Sequence, residues 1–103
     1  MAEVRKFANF KEFYPFYLAE HSNRTCRRLH YVGSILVLVV LFYALFSGQF
    51  RYLFLLPVLG YGFAWIGHFM FEKNKPATFQ HPLYSLMGDW VMLKDMLTGR
   101  IKF

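Results

Sequence analysis

The side chains with the most chemical potential are four histidines, His21, His30, His68 and His81. Neutral imidazole is a donor suited to iron, zinc, copper or nickel, and a catalytic ion needs a ligand set that leaves positions open. Spacing limits which of them can share an ion. The nine residues from His21 to His30 turn a continuous helix through about 900°, which puts the two rings on opposite faces. They can meet only if the helix breaks between them, and Ser22-Asn23 supplies both a break and a cap for a new helix. His68 and Glu72 are four apart and share a helix face. Glu72 could be a ligand, could orient a histidine ring, or could pair with Lys75 or Arg28. Glu20 could be a working acid or a solvated charge. Arg24, Arg27 and Arg28 could hold a substrate carboxylate or a lipid phosphate, or could simply be the positive charge that flanks a membrane span. Asp89 beside Trp90 could be functional, although an interfacial position explains both. Cys26, the single cysteine, reads as a packing residue and excludes an internal disulfide or an all-cysteine metal site.

The elements that must position these groups are apolar. The 103 residues are 56% hydrophobic and 21% aromatic, with only 17% charged. A soluble domain carries about 45–50% apolar and about 25% charged residues. Thirteen Phe and seven Tyr are more than so small a soluble core can bury. The first long apolar run, 32–46, has no charge and reaches membrane length if its helix begins near Leu29 or His30. The second, 52–71, is uncharged until Glu72 and contains Pro57, Gly60, Gly62 and Gly67, residues tolerated where membrane helices pack closely. The fold class is therefore all-α, an integral membrane helical hairpin of two transmembrane helices (29–47 and 52–71) within a single domain, 1–103. A signal peptide is a poor reading of the first run, which starts too late and lacks a cleavage pattern. A soluble buried hairpin fits poorly with runs of that length.

Amphipathic segments flank the hairpin. Phe7, Phe10, Phe13, Tyr14, Tyr17 and Leu18 recur at near-helical spacing within 1–28, predicting an interfacial helix that Pro15 bends. Asn74-Lys75-Pro76 stops the second span. The C-terminal segment 76–103 is interfacial or re-entrant, because its apolar stretch 83–97 carries Asp89, Lys94 and Asp95. Lys and Arg crowd both flanks while the turn at 47–51 has only Arg51, so both termini are expected in the cytoplasm. An antiparallel hairpin then brings the entrance of the first span, with His30, beside the exit of the second, with His68. His21 and His81 belong to the flanks on that same face. The net charge of +6 flanks the spans instead of forming a stripe, which fits anionic lipid and argues against nucleic acid. A non-enzymatic accessory membrane protein remains an alternative. So does a bis-histidine haem protein with His30 and His68 as axial ligands, although both sit at helix ends.

Two motifs carry a resemblance. Tyr17-Leu18-Ala19-Glu20-His21-Ser22-Asn23-Arg24 with Arg28-Leu29-His30-Tyr31-Val32-Gly33, and then Gly67-His68-Phe69-Met70-Phe71-Glu72-Lys73-Asn74-Lys75-Pro76-Ala77, resemble the paired motifs of a family of small membrane proteins. The family includes the fungal 2-hydroxy-fatty-acid dioxygenase of phytosphingosine breakdown. The resemblance runs from about Phe13 to Leu86. It implies an iron(II)-dependent membrane dioxygenase that uses O2 to shorten a 2-hydroxy fatty acid by one carbon. It also implies metal ligation by His21, His30, His68 and His81, the last in a looser match at Thr78-Phe79-Gln80-His81-Pro82-Leu83. Glu20 and Glu72 belong to the motifs as candidate catalytic groups, and Arg24 or Arg28 would meet the substrate head group. Fungal members are longer, with a second hydrophobic hairpin. The short form resembles a bacterial one, which implies the inner membrane; a homodimer partner could stand in for the second hairpin, or the activity could have changed.

Overall fold

A computed structural model describes residues 6–75 and 80–103; the Pro76-Ala77-Thr78-Phe79 part of the loop motif lies outside them. The described residues are all helical or irregular. Helix α1 spans Phe10–Ala19, α2 Arg24–Ser47, α3 Leu55–Ile66 and α4 Pro82–Leu97. A 3₁₀ turn, Phe50–Phe54, leads into α3, and a π turn, Gly67–Glu72, extends it.

Local chemistry explains each boundary. Asn9 caps α1 by accepting from the Glu12 N–H at 2.9 Å, while the Glu12 carboxylate accepts from the Ala8 N–H at 2.9 Å, a reciprocal arrangement that satisfies two end donors. The helix runs through Pro15 without interruption. Asn23 caps α2 by accepting from the Cys26 N–H at 3.1 Å. That cap starts the helix at Arg24, ahead of the boundary at 29 expected from hydropathy alone, because hydropathy marks the apolar part and capping marks the end. Gly48 ends α2 in the left-handed region, φ 71°. The second span is likewise longer than 52–71: 3₁₀, α and π segments together run from Phe50 to Glu72. Both long elements are long and apolar enough to cross a membrane.

The hairpin of α2 and α3 leaves its outer face apolar. Phe46 is 87% and Phe54 83% exposed, and Val58, Phe69 and Met70 are also uncovered. The flanking helices do not lie apart from one another. Phe13 and Tyr17 of α1 are buried together with Met92 and Met96 of α4. Two hydrogen bonds join this pair: Tyr14 Oη donates to Asp95 at 2.6 Å, and Tyr17 Oη donates to Asp89. A methyl group at Gly88 would stand 2.9 Å from the Tyr17 ring, so only glycine allows α4 this approach. At 16 residues, α4 is about 24 Å long, short of the roughly 30 Å hydrocarbon core.

Candidate metal centre

The break between helices at Glu20–Asn23 turns α1 back over the start of α2. His21, from the break, and His30, one turn and a half into α2, thereby reach each other although they could not on one helix. His21 Nε2 lies 3.1 Å from His30 Nε2. The opposite wall is built by α3. Gly67 touches α2 so closely that a methyl group there would stand 2.9 Å from Cys26 Sγ and 3.2 Å from its Cα. That contact and the π turn that follows it place His68, whose Nε2 lies 2.9 Å from His21 Nε2. Single π turns inside α-helices are frequent at functional sites because the extra residue re-aims side chains. The three rings are nearly perpendicular to one another, at interplanar angles of 77–88°. All are buried: His21 is 1%, His68 2% and His30 6% exposed.

The other nitrogen of each ring fixes the tautomer. His21 Nδ1–H donates to the Tyr17 carbonyl at 2.6 Å. His30 Nδ1–H donates to the Cys26 carbonyl at 3.0 Å. His68 Nδ1–H donates to Asn74 Oδ1 at 2.7 Å. The orientation of the Asn74 amide is set in turn by Glu20, whose carboxylate accepts from Asn74 Nδ2 at 2.8 Å and whose carbonyl accepts at 3.1 Å. With every Nδ1 a donor, the three Nε2 atoms present lone pairs to one another. Two facing acceptors cannot form a hydrogen bond, and a cation held between them would satisfy all three lone pairs. A proton is a poor candidate, because burial, followed by the neighbouring His30 and His68, holds His21 well below the usual imidazole range. A metal ion fits. Two nitrogens each about 2.1 Å from a shared ion stand about 3.0 Å apart when they subtend a right angle, close to the two separations found. Orientation of each ligating ring through its remote N–H is the usual companion of such sites.

The remaining sequence candidates are placed differently. His81 precedes α4, and its ring lies against Phe7, Phe13 and Phe16, with centroids 5.2–6.1 Å away; it is not in the converging group. Glu72 accepts from the Asn23 N–H and from Ser22 Oγ at 3.2 Å, so it ties the break to the end of the second span; neither Lys75 nor Arg28 is its partner. Arg28 donates to the Phe103 carbonyl at 2.8 Å and covers the Phe103 ring at 4.9 Å. Arg24 is exposed on the first turn of α2. Arg27 braces the break, donating to the carbonyls of His21 at 3.1 Å and Ser22 at 2.8 Å.

Other residues around the centre are not placed there by the sequence: Tyr17 reads as part of an interfacial helix face, Asp89 as interfacial, and Ser85 is not singled out. Tyr17 stacks on His21 at 4.0 Å between centroids. Ser85 and Asp89 of α4 line the recess next to the histidines, together with Tyr17, Tyr61 and Trp65. Burial pushes the Asp89 carboxyl up to about 6, against the lowering effect of its Tyr17 hydrogen bond. An apolar cavity of about 230 Å³ opens from His30 and Asp89 between α2, α3 and α4. The arrangement rules against an axial haem pair at His30 and His68, whose centroids are 5.1 Å apart with His21 within 3.1 Å of both Nε2 atoms, leaving no room for a porphyrin plane.

These features define an all-helical protein with two membrane-length apolar helices and a buried three-histidine cluster able to hold a metal. The chain belongs to the family described as 2-hydroxy-palmitic acid dioxygenase Mpo1-like, whose model matches residues 7–101. No curated protein and no solved structure gives a significant match.

Proposed function

We propose that the chain is a membrane-embedded dioxygenase that holds iron(II) on His21, His30 and His68 and uses O2 to shorten a 2-hydroxy fatty acid by one carbon. The observation that carries this reading is the convergence of three buried Nε2 lone pairs whose Nδ1 atoms are all committed as donors. The family description supplies the reaction class. Three neutral imidazoles suit iron among other metals and leave coordination positions open. Bound there, iron(II) would supply redox chemistry with oxygen and a Lewis-acid site for the substrate's oxygens.

The protein's own groups prepare that site. The carbonyls of Tyr17 and Cys26 and the Asn74 amide keep each Nδ1 protonated and each ring aimed. Glu20 acts one step further out, by fixing Asn74. Glu72 and Arg27 hold the break that brings His21 over His30. In this reading both acidic residues are positioning groups. Tyr17, Trp65 and the apolar ends of α2 and α3 restrict water at the histidines.

The uncovered apolar faces of α2 and α3 fit lipid, since a soluble monomer rarely exposes so continuous a patch. The positive flanks favour a cytoplasmic location for both termini and for the metal face, in a bacterial inner membrane. Arg24, exposed at that face, would attract the anionic head of an acid from the bilayer surface; Arg28 is engaged with Phe103. A second copy of the chain would supply further cover for the hairpin. The direct test is anaerobic iron loading followed by addition of oxygen and a 2-hydroxy fatty acid. The reading expects oxygen uptake with an acid one carbon shorter. An iron-loaded protein that consumes no oxygen with such acids refutes it.

A further inference from the structure

Two polar groups on α4 face the histidine recess with hydrogen-bonding capacity that the fold leaves unused. Ser85 is 2% exposed, and its Oγ has no hydrogen-bond partner among the described residues. Buried hydroxyls without partners are rare in folded proteins. Asp89 lies one turn further along the same face. One of its carboxylate oxygens accepts from Tyr17 Oη, and the other has no protein partner among the described residues. Both side chains line the recess that also contains His21, His30 and His68. That recess shares His30, Tyr61 and Asp89 with the apolar cavity, whose walls include Val37, Leu56 and Gly60. A polar pair therefore sits where a greasy channel meets the metal ligands.

We propose that Ser85 and Asp89 form the head-group subsite for a 2-hydroxy acid, with the start of its chain in the cavity between α2, α3 and α4. This assignment rests on the dioxygenase reading and specifies its substrate contacts. The second Asp89 oxygen accepts a hydrogen bond from the 2-hydroxyl group, and the Ser85 hydroxyl donates one to the substrate carboxylate. The cavity wall along α2 from His30 to Val37 rises about 10 Å, enough for the first part of an alkyl chain before it meets the bilayer. An acid without the 2-hydroxyl leaves Asp89 unsatisfied, so the pair selects for hydroxylation at C2. A hydrogen bond to a charged group corresponds to a preference on the order of 10- to 100-fold.

The test uses the full chain in nanodiscs, loaded with iron(II) under anaerobic conditions so that no turnover occurs. Binding of 2-hydroxyhexadecanoic acid and hexadecanoic acid is measured by displacement of a fluorescent fatty acid, with iron content determined in parallel. Wild type is expected to prefer the hydroxy acid. Asp89→Asn keeps an acceptor for Tyr17 but turns the second oxygen into a donor; the preference is expected to fall by about tenfold or more at unchanged iron content. Ser85→Ala is expected to weaken both acids alike. Gly60→Leu, which fills the cavity, is expected to weaken 2-hydroxyhexadecanoic acid and spare 2-hydroxybutanoic acid. Asp89→Asn and Ser85→Ala proteins with full iron and wild-type affinities for both acids overturn the assignment while leaving the dioxygenase reading in place. Iron-loaded wild type that binds neither acid overturns both.

Discussion

The Asn74 side chain offers a quantitative handle on the candidate metal centre, because it contacts His68 only through Nδ1 and no Nε2 atom. It accepts from His68 Nδ1–H at 2.7 Å and donates to the Glu20 carboxylate at 2.8 Å. Asn74→Ala removes both partners at once. His68 is then left with a buried N–H that nothing satisfies, at a cost of about 1–3 kcal/mol in folding stability. Its ring also becomes able to rotate or change tautomer, which takes the Nε2 lone pair off the shared point. Loss of such an outer hydrogen bond lowers metal affinity by about 10- to 100-fold, equivalent to about 1.4–2.8 kcal/mol. The assay is competition for iron(II) with a chelator of known affinity, run anaerobically beside helicity and thermal unfolding so that the two effects are read separately. Asn74→Asp keeps an acceptor for His68 but sets a carboxylate against Glu20, and should fall between wild type and Asn74→Ala. A folded Asn74→Ala protein with wild-type iron affinity would refute the reasoning that this hydrogen bond aims His68.

Three further outcomes follow from the geometry. Gly67→Ala puts a methyl group 2.9 Å from Cys26 Sγ and 3.2 Å from its Cα, so helix separation at the histidines should cost about 1–3 kcal/mol and weaken iron binding; thermal unfolding and chelator competition check both. Tyr14→Phe leaves the buried Asp95 carboxylate without its 2.6 Å donor and should destabilise the α1–α4 pair by about 1–3 kcal/mol, visible as loss of cooperative unfolding without loss of iron. Asp89 supplies a pH dependence. Burial raises its folded-state value to about 6, above its ordinary value of 3.8, so the contribution is fully present below about pH 4 and is lost as pH rises through about 6. The change is at most about 3 kcal/mol. Asp89→Asn should flatten the stability profile across that window, as measured by denaturant unfolding at a series of pH values.

The sequence disclosed more of the topology than of the site's support. Charge-free runs and a five-residue turn were enough to set an antiparallel hairpin, and Asn23 was legible as a cap because its side chain acts on the third residue after it. The meeting of His21 with His30 was legible for the same local reason: their spacing demanded a break, and Ser22-Asn23 supplied it. His68 followed from the hairpin. What lay beyond reach depended on contacts between distant segments. Nothing local tells that Asn74 bonds His68 and Glu20, since the π turn and the left-handed Lys73 that fold it back have no sequence pattern of their own. The same holds for Glu72, whose partners are 49 and 50 residues away, and for Ser85 and Asp89, which reach the recess only because α4 packs on Tyr17. His81 was grouped with the others because it lies on the same membrane face. A shared face fixes a position to within a helix diameter, whereas ligation needs a few ångströms, and the structure sets its ring among phenylalanines.

Iron stoichiometry tests the central claim most directly. Protein purified without a histidine tag and loaded anaerobically should bind one iron(II) per chain. His21→Ala, His30→Ala and His68→Ala should each lose it while remaining inserted and helical, and His81→Ala should keep it. Full iron binding by the His21, His30 and His68 variants would contradict the account.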